Sequence, residues 1–207
     1  MSAEQATPAV SVRRRRLQLL ALAGLFFGPL GVSAWLYFHG GSWRPAGHVN
    51  HGQLIDSPRP LPPLGLATPA GGRTEEAFLH RKWSLVTITA DACDRRCRQA
   101  LVNTRTVQLA LDANGTRVQR VLLANVGCCG EAARTPAQRD LVTAWLDAGD
   151  ARRLYAALRA ARAPVPAAGR IYVVDPHANL VISYAPDADP RGLLVDLERL
   201  LRLSQIG

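Results

Sequence analysis

The sequence predicts an α/β domain, a mixed sheet with flanking helices, preceded by one N-terminal transmembrane helix. Three observations carry this. Leu17 to Phe38 is an apolar run without a charge. From Trp83 to Leu111 a β-branched segment gives way to a loop and then to a helical pattern, the signature of strands joined by helical crossovers. Near the C-terminus, Ile171 to Val174 and Leu180 to Tyr184 are two short strands separated by residues 175–179, a hairpin.

At 207 residues the chain has room for one domain and an appendage. Its formal net charge is +9, yet all but one of its 25 basic residues are arginine, mostly scattered among acids and alanines. With no stripe of aromatic and basic residues beside them, this composition speaks against nucleic-acid binding.

Residues 1–16 form a polar N-terminus that ends in Arg13 to Arg16. The uncharged run 17–38 would span about 30 Å of hydrocarbon as a helix. Trp35 and Tyr37 stand where an aromatic belt belongs, and the four arginines mark the near side as cytoplasmic. In a bacterium this places a single-pass anchor in the inner membrane and the C-terminal domain in the periplasm, which favours disulfides. A cleaved signal peptide is the competing reading. The apolar run is long for a signal core, and Gly31-Val32-Ser33-Ala34 is a weak cleavage site, so an uncleaved anchor is favoured.

Residues 39–70, dense in proline and glycine, read as a tether, and His39, His48 and His51 within it as solvated linker. Residues 71–207 form the folded domain. Thr74 to Leu79 reads as a short helix, Trp83 to Thr89 as a buried strand, and the segment after Cys97 as a helix with Leu101, Val107 and Leu111 inward. Asp112 to Gly115 is a turn, and Val118 to Val126 a second core strand. Thr135, Pro136 and Gln138 spell a helix start, with Leu141, Val142, Trp145 and Leu146 as the buried face and Gly149 as the stop. Asp150 then caps a helix carrying Leu154, Tyr155, Leu158 and Ala161. After the hairpin, Asp189-Pro190 caps a last helix with a leucine stripe.

This order suggests a thioredoxin-like fold, in which chemistry sits at the carboxyl ends of the parallel strands. Cys93 and Cys97 occupy that position, at the exit of a strand and the start of a helix, where backbone N–H groups stabilise a thiolate. Asp91, Asp94, Arg95, Arg96 and Arg98 surround them, which predicts a surface loop, and the arginines would depress a thiol pKa. A redox or metal role competes with a structural disulfide. Cys128 and Cys129, flanked by Gly127 and Gly130, follow the second strand. They read either as small turn residues or a vicinal disulfide, or as further thiolates beside the first pair.

The N-terminal anchor, the Arg81-Lys82-Trp83 approach to a strand, the Cys-x3-Cys of Cys93 and Cys97, and a late strand ending in Asp175-Pro176 together resemble the Sco family of cytochrome c oxidase assembly proteins. The resemblance spans roughly residues 60–203. It implies a thioredoxin-like fold and copper bound by Cys93 and Cys97. It also implies a role in maturing subunit II of the oxidase as copper chaperone or thiol reductase, served by a periplasmic thiol donor. The family's histidine ligand has no counterpart, since its position falls near Ala167, while His177 lies at the far end of the hairpin. The family's prolines beside the cysteines are replaced by Asp94 and Arg98. Cu(I), being soft, can be held by two thiolates, with Cys128 or Cys129 as a third ligand. The alternatives are a non-enzymatic scaffold with a permanent disulfide and, less favoured, a thiol peroxidase.

Overall fold

The uncharged run lies in a single helix, α1 (Val12–His39), whose stretch Arg13–Phe38 holds an 18-residue window of mean hydropathy 1.9 and is long and apolar enough to cross a membrane. Pro29 lies inside it. Membrane helices tolerate such an interruption where neighbouring polar groups satisfy the freed carbonyl. The computed structural model describes residues 12–39, 50–89, 93–125, 135 and 138–204. It divides into two units, residues 1–48 and 49–207.

The second unit is built on a six-stranded sheet of order β1-β6-β5-β2-β3-β4. The strands are β1 (Gln53–Leu54), β2 (Trp83–Thr89), β3 (Val118–Asn125), β4 (Leu141–Leu146), β5 (Ile171–Val174) and β6 (Leu180–Tyr184). β2, β3 and β4 are parallel, with Val86 opposite Val121 and Val121 opposite Val142. β5 runs antiparallel to β2, β6 to β5, and β1 to β6. Helices α2 (Arg95–Ala110), α3 (Ala148–Ala160) and α4 (Pro190–Leu203) cover the faces.

The period of two along β2 and β3 divides the core. Val86, Ile88, Val121 and Leu123 face one way, against Leu154 and Leu158 of α3. Leu85 faces α2 and α4, meeting Val107, Leu193, Leu197 and Leu201, while Leu122 and Ala124 meet Cys97 and Leu101. A β2 strand buried on both faces explains why it reads as a near-continuous apolar run.

Three expectations are corrected. Residues 141–146 are a strand, not a helix. Positions 141, 142, 145 and 146 have helical spacing, but LVTAWL is also a nearly continuous apolar run, and parallel pairing to residues 120–125 of β3 decides for the strand. Thr135 and Gln138 make only a turn, with the Gln138 N–H donating to the Thr135 carbonyl at 2.8 Å; Pro136 is outside the described residues. The cap of α3 is Asp147, whose carboxylate accepts from the N–H groups of Gly149 and Asp150, so Gly149 opens a helix and does not end one. Thr74 to Leu79 is a chain of turns.

The third correction concerns the tether expected over 39–70. From residue 50 onward it is part of the domain. The Ile55 N–H donates to the Val181 carbonyl at 2.9 Å, Leu61 to Ala178 at 2.8 Å, and Trp145 to Ala67 at 2.7 Å. Residues 55–67 therefore form a strap across one sheet face from β6 to β4, burying Leu61, Leu64 and Leu66. Proline forbids a helix but not an extended, packed chain. Each buried leucine contributes about 2 kcal/mol.

Candidate functional site

β2 carries the chain to the carboxyl edge of the sheet, and Cys93 follows at the start of α2. Cys93 and Cys97 form a disulfide with an S–S distance of 2.05 Å and Cα atoms 5.1 Å apart. Asp94 is the N-cap of α2: its backbone is extended and its Oδ1 accepts from the Cys97 N–H at 2.8 Å. The Arg98 guanidinium donates from Nη1 to the Cys93 carbonyl at 2.9 Å. Two of the residues that depart from the family's prolines thus build the turn that holds the cysteines.

The charged neighbours predicted an exposed pair, and here the structure differs. Cys97 is 0 % exposed and Cys93 9 %. Helical phase is the reason. Cys97, Ala100, Leu101 and Thr104 share the inner face, while Arg95, Arg96 and Arg98 point to solvent. The two residues are therefore unequal, Cys93 being the slightly more accessible.

The turn before β5 packs on this site. Gly169 has φ +81°, and a Cβ there would lie 2.6 Å from the Arg96 carbonyl oxygen. The turn is closed by the Arg170 N–H donating to the Ala167 carbonyl at 2.9 Å. This is where the Sco resemblance places a histidine, and Ala167, Ala168 and Gly169 stand there instead. His177 bridges to His80 at the opposite edge of the sheet, because β5 runs antiparallel to β2. Among the described residues no group of three His, Cys, Asp or Glu side chains is arranged to hold a metal. When reduced, Cys93 and Cys97 would present two neighbouring thiolates, a donor set suited to linear Cu(I). Cys128 and Cys129 lie outside the described residues.

One residue beneath the site was not singled out in the sequence. Arg120, in the middle of β3, is 0 % exposed. Its guanidinium donates to the Gln138 Oε1 at 2.6 Å, the Gln108 Oε1 at 3.0 Å, the Leu101 carbonyl at 3.2 Å and Asp140 at 3.0 Å. Asp140 also pairs with Arg105 of α2. Burial lowers the Arg120 pKa, opposed by the hydrogen bond and charge of Asp140. Burial also pushes the Asp140 carboxyl up, but Arg120, together with the Asp140 backbone and Arg105, outweighs it and holds it below the usual carboxylate range. The arginine ties α2 to the segment leading into β4. The signal was available: a lone cation in the apolar run VQRVLLAN.

Known structures share this fold. The apo Sco1 protein of Thermus thermophilus is 19 % identical, with 75 % of this chain and 99 % of that one covered at a TM-score of 0.57. The copper-bound ScoI of Arabidopsis thaliana is 17 % identical, with 72 % and 99 % covered at 0.55. BsSco, a member of the Sco family of cytochrome c oxidase assembly proteins in which a disulfide switch was identified, is 14 % identical, with 73 % and 99 % covered at 0.55. At these identities the likeness is one of fold. No curated protein sequence matches the chain. Residues 83–204 match the transmembrane-like, thioredoxin-like C-terminal domain family, more than half of the chain. With its apolar N-terminal helix and its cysteine pair on a thioredoxin-like sheet, the chain belongs to that family.

Proposed function

We propose that the chain is a membrane-anchored thiol–disulfide exchange protein of the Sco kind, held in the bacterial inner membrane with its domain in the periplasm. Its client is subunit II of cytochrome c oxidase, and a periplasmic thiol donor renews it. The observation that carries this reading is the Cys93–Cys97 disulfide at the carboxyl end of β2 and the start of α2. A bridge across so few residues contributes only about 2 kcal/mol by restricting the unfolded chain. That is a small return for a purely structural purpose.

The unequal exposure supports a division of roles. A donor thiolate attacks the Cys93 sulfur, the S–S bond breaks, and Cys97 leaves as a thiolate at the helix N-terminus. A second donor thiolate attacks the mixed disulfide and releases Cys93, so two electrons pass to the protein and the donor leaves as its disulfide. The reduced Cys93 then attacks a client disulfide, and Cys97 resolves the adduct, passing the electron pair on. Cu(I) is a second cargo for the reduced pair, favoured by the nearness of the two cysteines. Cys128 or Cys129 would supply a third thiolate in the absence of the histidine.

The full chain, solubilised in neutral detergent and equilibrated anaerobically with thiol–disulfide buffers, tests this through alkylation and mass measurement. A reversible two-electron transition above about −300 mV is expected, whereas structural disulfides lie below that value. A pair that stays oxidised throughout would overturn the exchange reading in favour of a scaffold. In a Cu(I) titration of the reduced chain, binding should vanish in Cys93→Ser and Cys97→Ser. Weakening in Cys128→Ser or Cys129→Ser would mark that residue as the third ligand, and unchanged binding would remove it.

A further inference from the structure

The first turn of α2 sets three arginines beside the cysteine pair. Arg95, Arg96 and Arg98 are exposed. The ion pairs among the described residues are His51–Asp196, Arg105–Asp140, Arg120–Asp140 and Arg153–Asp150, and none involves these three. Arg98 is fixed on the Cys93 carbonyl, which keeps a cation against the residue that is attacked. Arg96 lines a cleft of about 190 Å³ with Pro186 and Asp187 on its other wall. Among the described residues of the turn, Asp94, bound to the Cys97 N–H, is the one carboxylate against three arginines, so their sum is cationic. The peptide dipoles of α2 add a positive field in the same place.

We propose that Arg95, Arg96 and Arg98 select the redox partner by charge, so that the Cys93–Cys97 disulfide exchanges with a protein whose own cysteine site is edged with carboxylates. This rests on the exchange reading above and names its substrate class. The argument is one of access. With Cys97 buried beneath the turn, a nucleophile that reaches Cys93 does so in the field of these guanidinium groups. A thiolate with a second negative charge is drawn in, and one that carries a cation is repelled. Steering of this kind raises encounter rates by tenfold or more at low ionic strength and is screened by salt. A protein partner is preferred to a lipid surface because the charges flank a bond that must stay reachable.

The test measures reduction of the disulfide in the full chain, in neutral detergent, by mercaptoethanesulfonate, mercaptoethanol and cysteamine. Rates are referred to thiolate concentration and to the same thiols acting on an uncharged linear disulfide. The sulfonate should lead cysteamine by about tenfold at low ionic strength, and the ratio should approach one in 1 M salt, where the Debye length is about 3 Å. The Arg95→Glu, Arg96→Glu double variant should invert the order. Arg95→Gln, Arg96→Gln should abolish it, and this milder pair decides the matter if charge reversal disturbs folding. Arg98 is left in place because it also holds the turn.

Equal rates for the three thiols would overturn the proposal while leaving exchange intact. Failure of every thiol to reduce the pair would instead overturn the exchange reading. A preference seen in detergent but lost in nanodiscs containing anionic phosphatidylglycerol would assign the arginines to the membrane surface, and would also overturn it.

Discussion

Two buried charges organise the domain, and they are satisfied in different ways. Arg120 lies under α2 and collects side-chain and carbonyl acceptors 12 to 20 residues away in sequence. Asp196, on α4, is 1 % exposed and collects donors from the far end of the domain. The Tyr184 hydroxyl donates at 2.7 Å, and the N–H groups of His51 and Gly52 at 2.7 and 3.1 Å, across a separation of 145 residues for His51. Gly52 fits this joint because a Cβ there would lie 2.4 Å from Ile182 Cγ2. The cation is neutralised by a charged partner at the domain's centre. The anion is held by two backbone N–H groups and the Tyr184 hydroxyl, with the His51 ring Nδ1 at 3.2 Å, and closes the start of the domain onto its last helix.

This difference can be broken from either side. Arg120→Ala removes one partner from a buried ionic network and leaves its acceptors unmet. It should cost about 3–5 kcal/mol of unfolding free energy in denaturant titrations of the full chain. Asp196→Asn keeps the shape and loses the charge-assisted bonds, with an expected cost of about 1.5–3 kcal/mol at neutral pH.

The pH dependence separates the two further. Burial pushes the Asp196 carboxyl up, but the bonds from Tyr184, His51 and Gly52 outweigh it and hold the group below its ordinary value of 3.8. A carboxyl depressed in the folded state stabilises fully above its unfolded pKa, and that contribution is lost as pH falls through the folded one. The difference between wild type and Asp196→Asn should therefore be largest well above 3.8 and close as the pH drops beneath it. A gap unchanged in acid would show that Asp196 acts by shape alone. The smallest effect is expected at the cysteine turn, where Asp94→Ala removes an N-cap worth about 1 kcal/mol. Thermal unfolding should register that loss, and alkylation of the reduced pair should register a looser turn.

The same contrast explains what could be read in advance. β2, β3, the β5–β6 hairpin, α2 and the leucine face of α4 follow from periodicity, because a buried face imposes its period on the local sequence. β4 reads as a helix because Leu141, Val142, Trp145 and Leu146 are spaced for one, and only pairing with β3 overrides that spacing. Arg120 and Asp196 are single polar residues inside apolar patterns, and their partners lie in other elements. Asp94 is visible as a cap three residues ahead of Cys97, yet it reads first as a loop charge and a departure from the family's proline. The placement of the cysteines at the carboxyl edge of β2 was legible. Their burial was not, because charge density marks a solvated segment without saying which side chains turn inward.

The strap of residues 55–67 fixes where this domain can be cut. By reaching across to β4 it supplies the carbonyl of Ala67 to Trp145, so the outermost parallel strand does not present that amide to other chains. A fragment starting near residue 70, where proline density alone would set the boundary, would lose Leu61, Leu64 and Leu66 from beneath the sheet and open β4 to intermolecular strand pairing. Protection of the β4 edge is thus a property of the segment that looks least like structure.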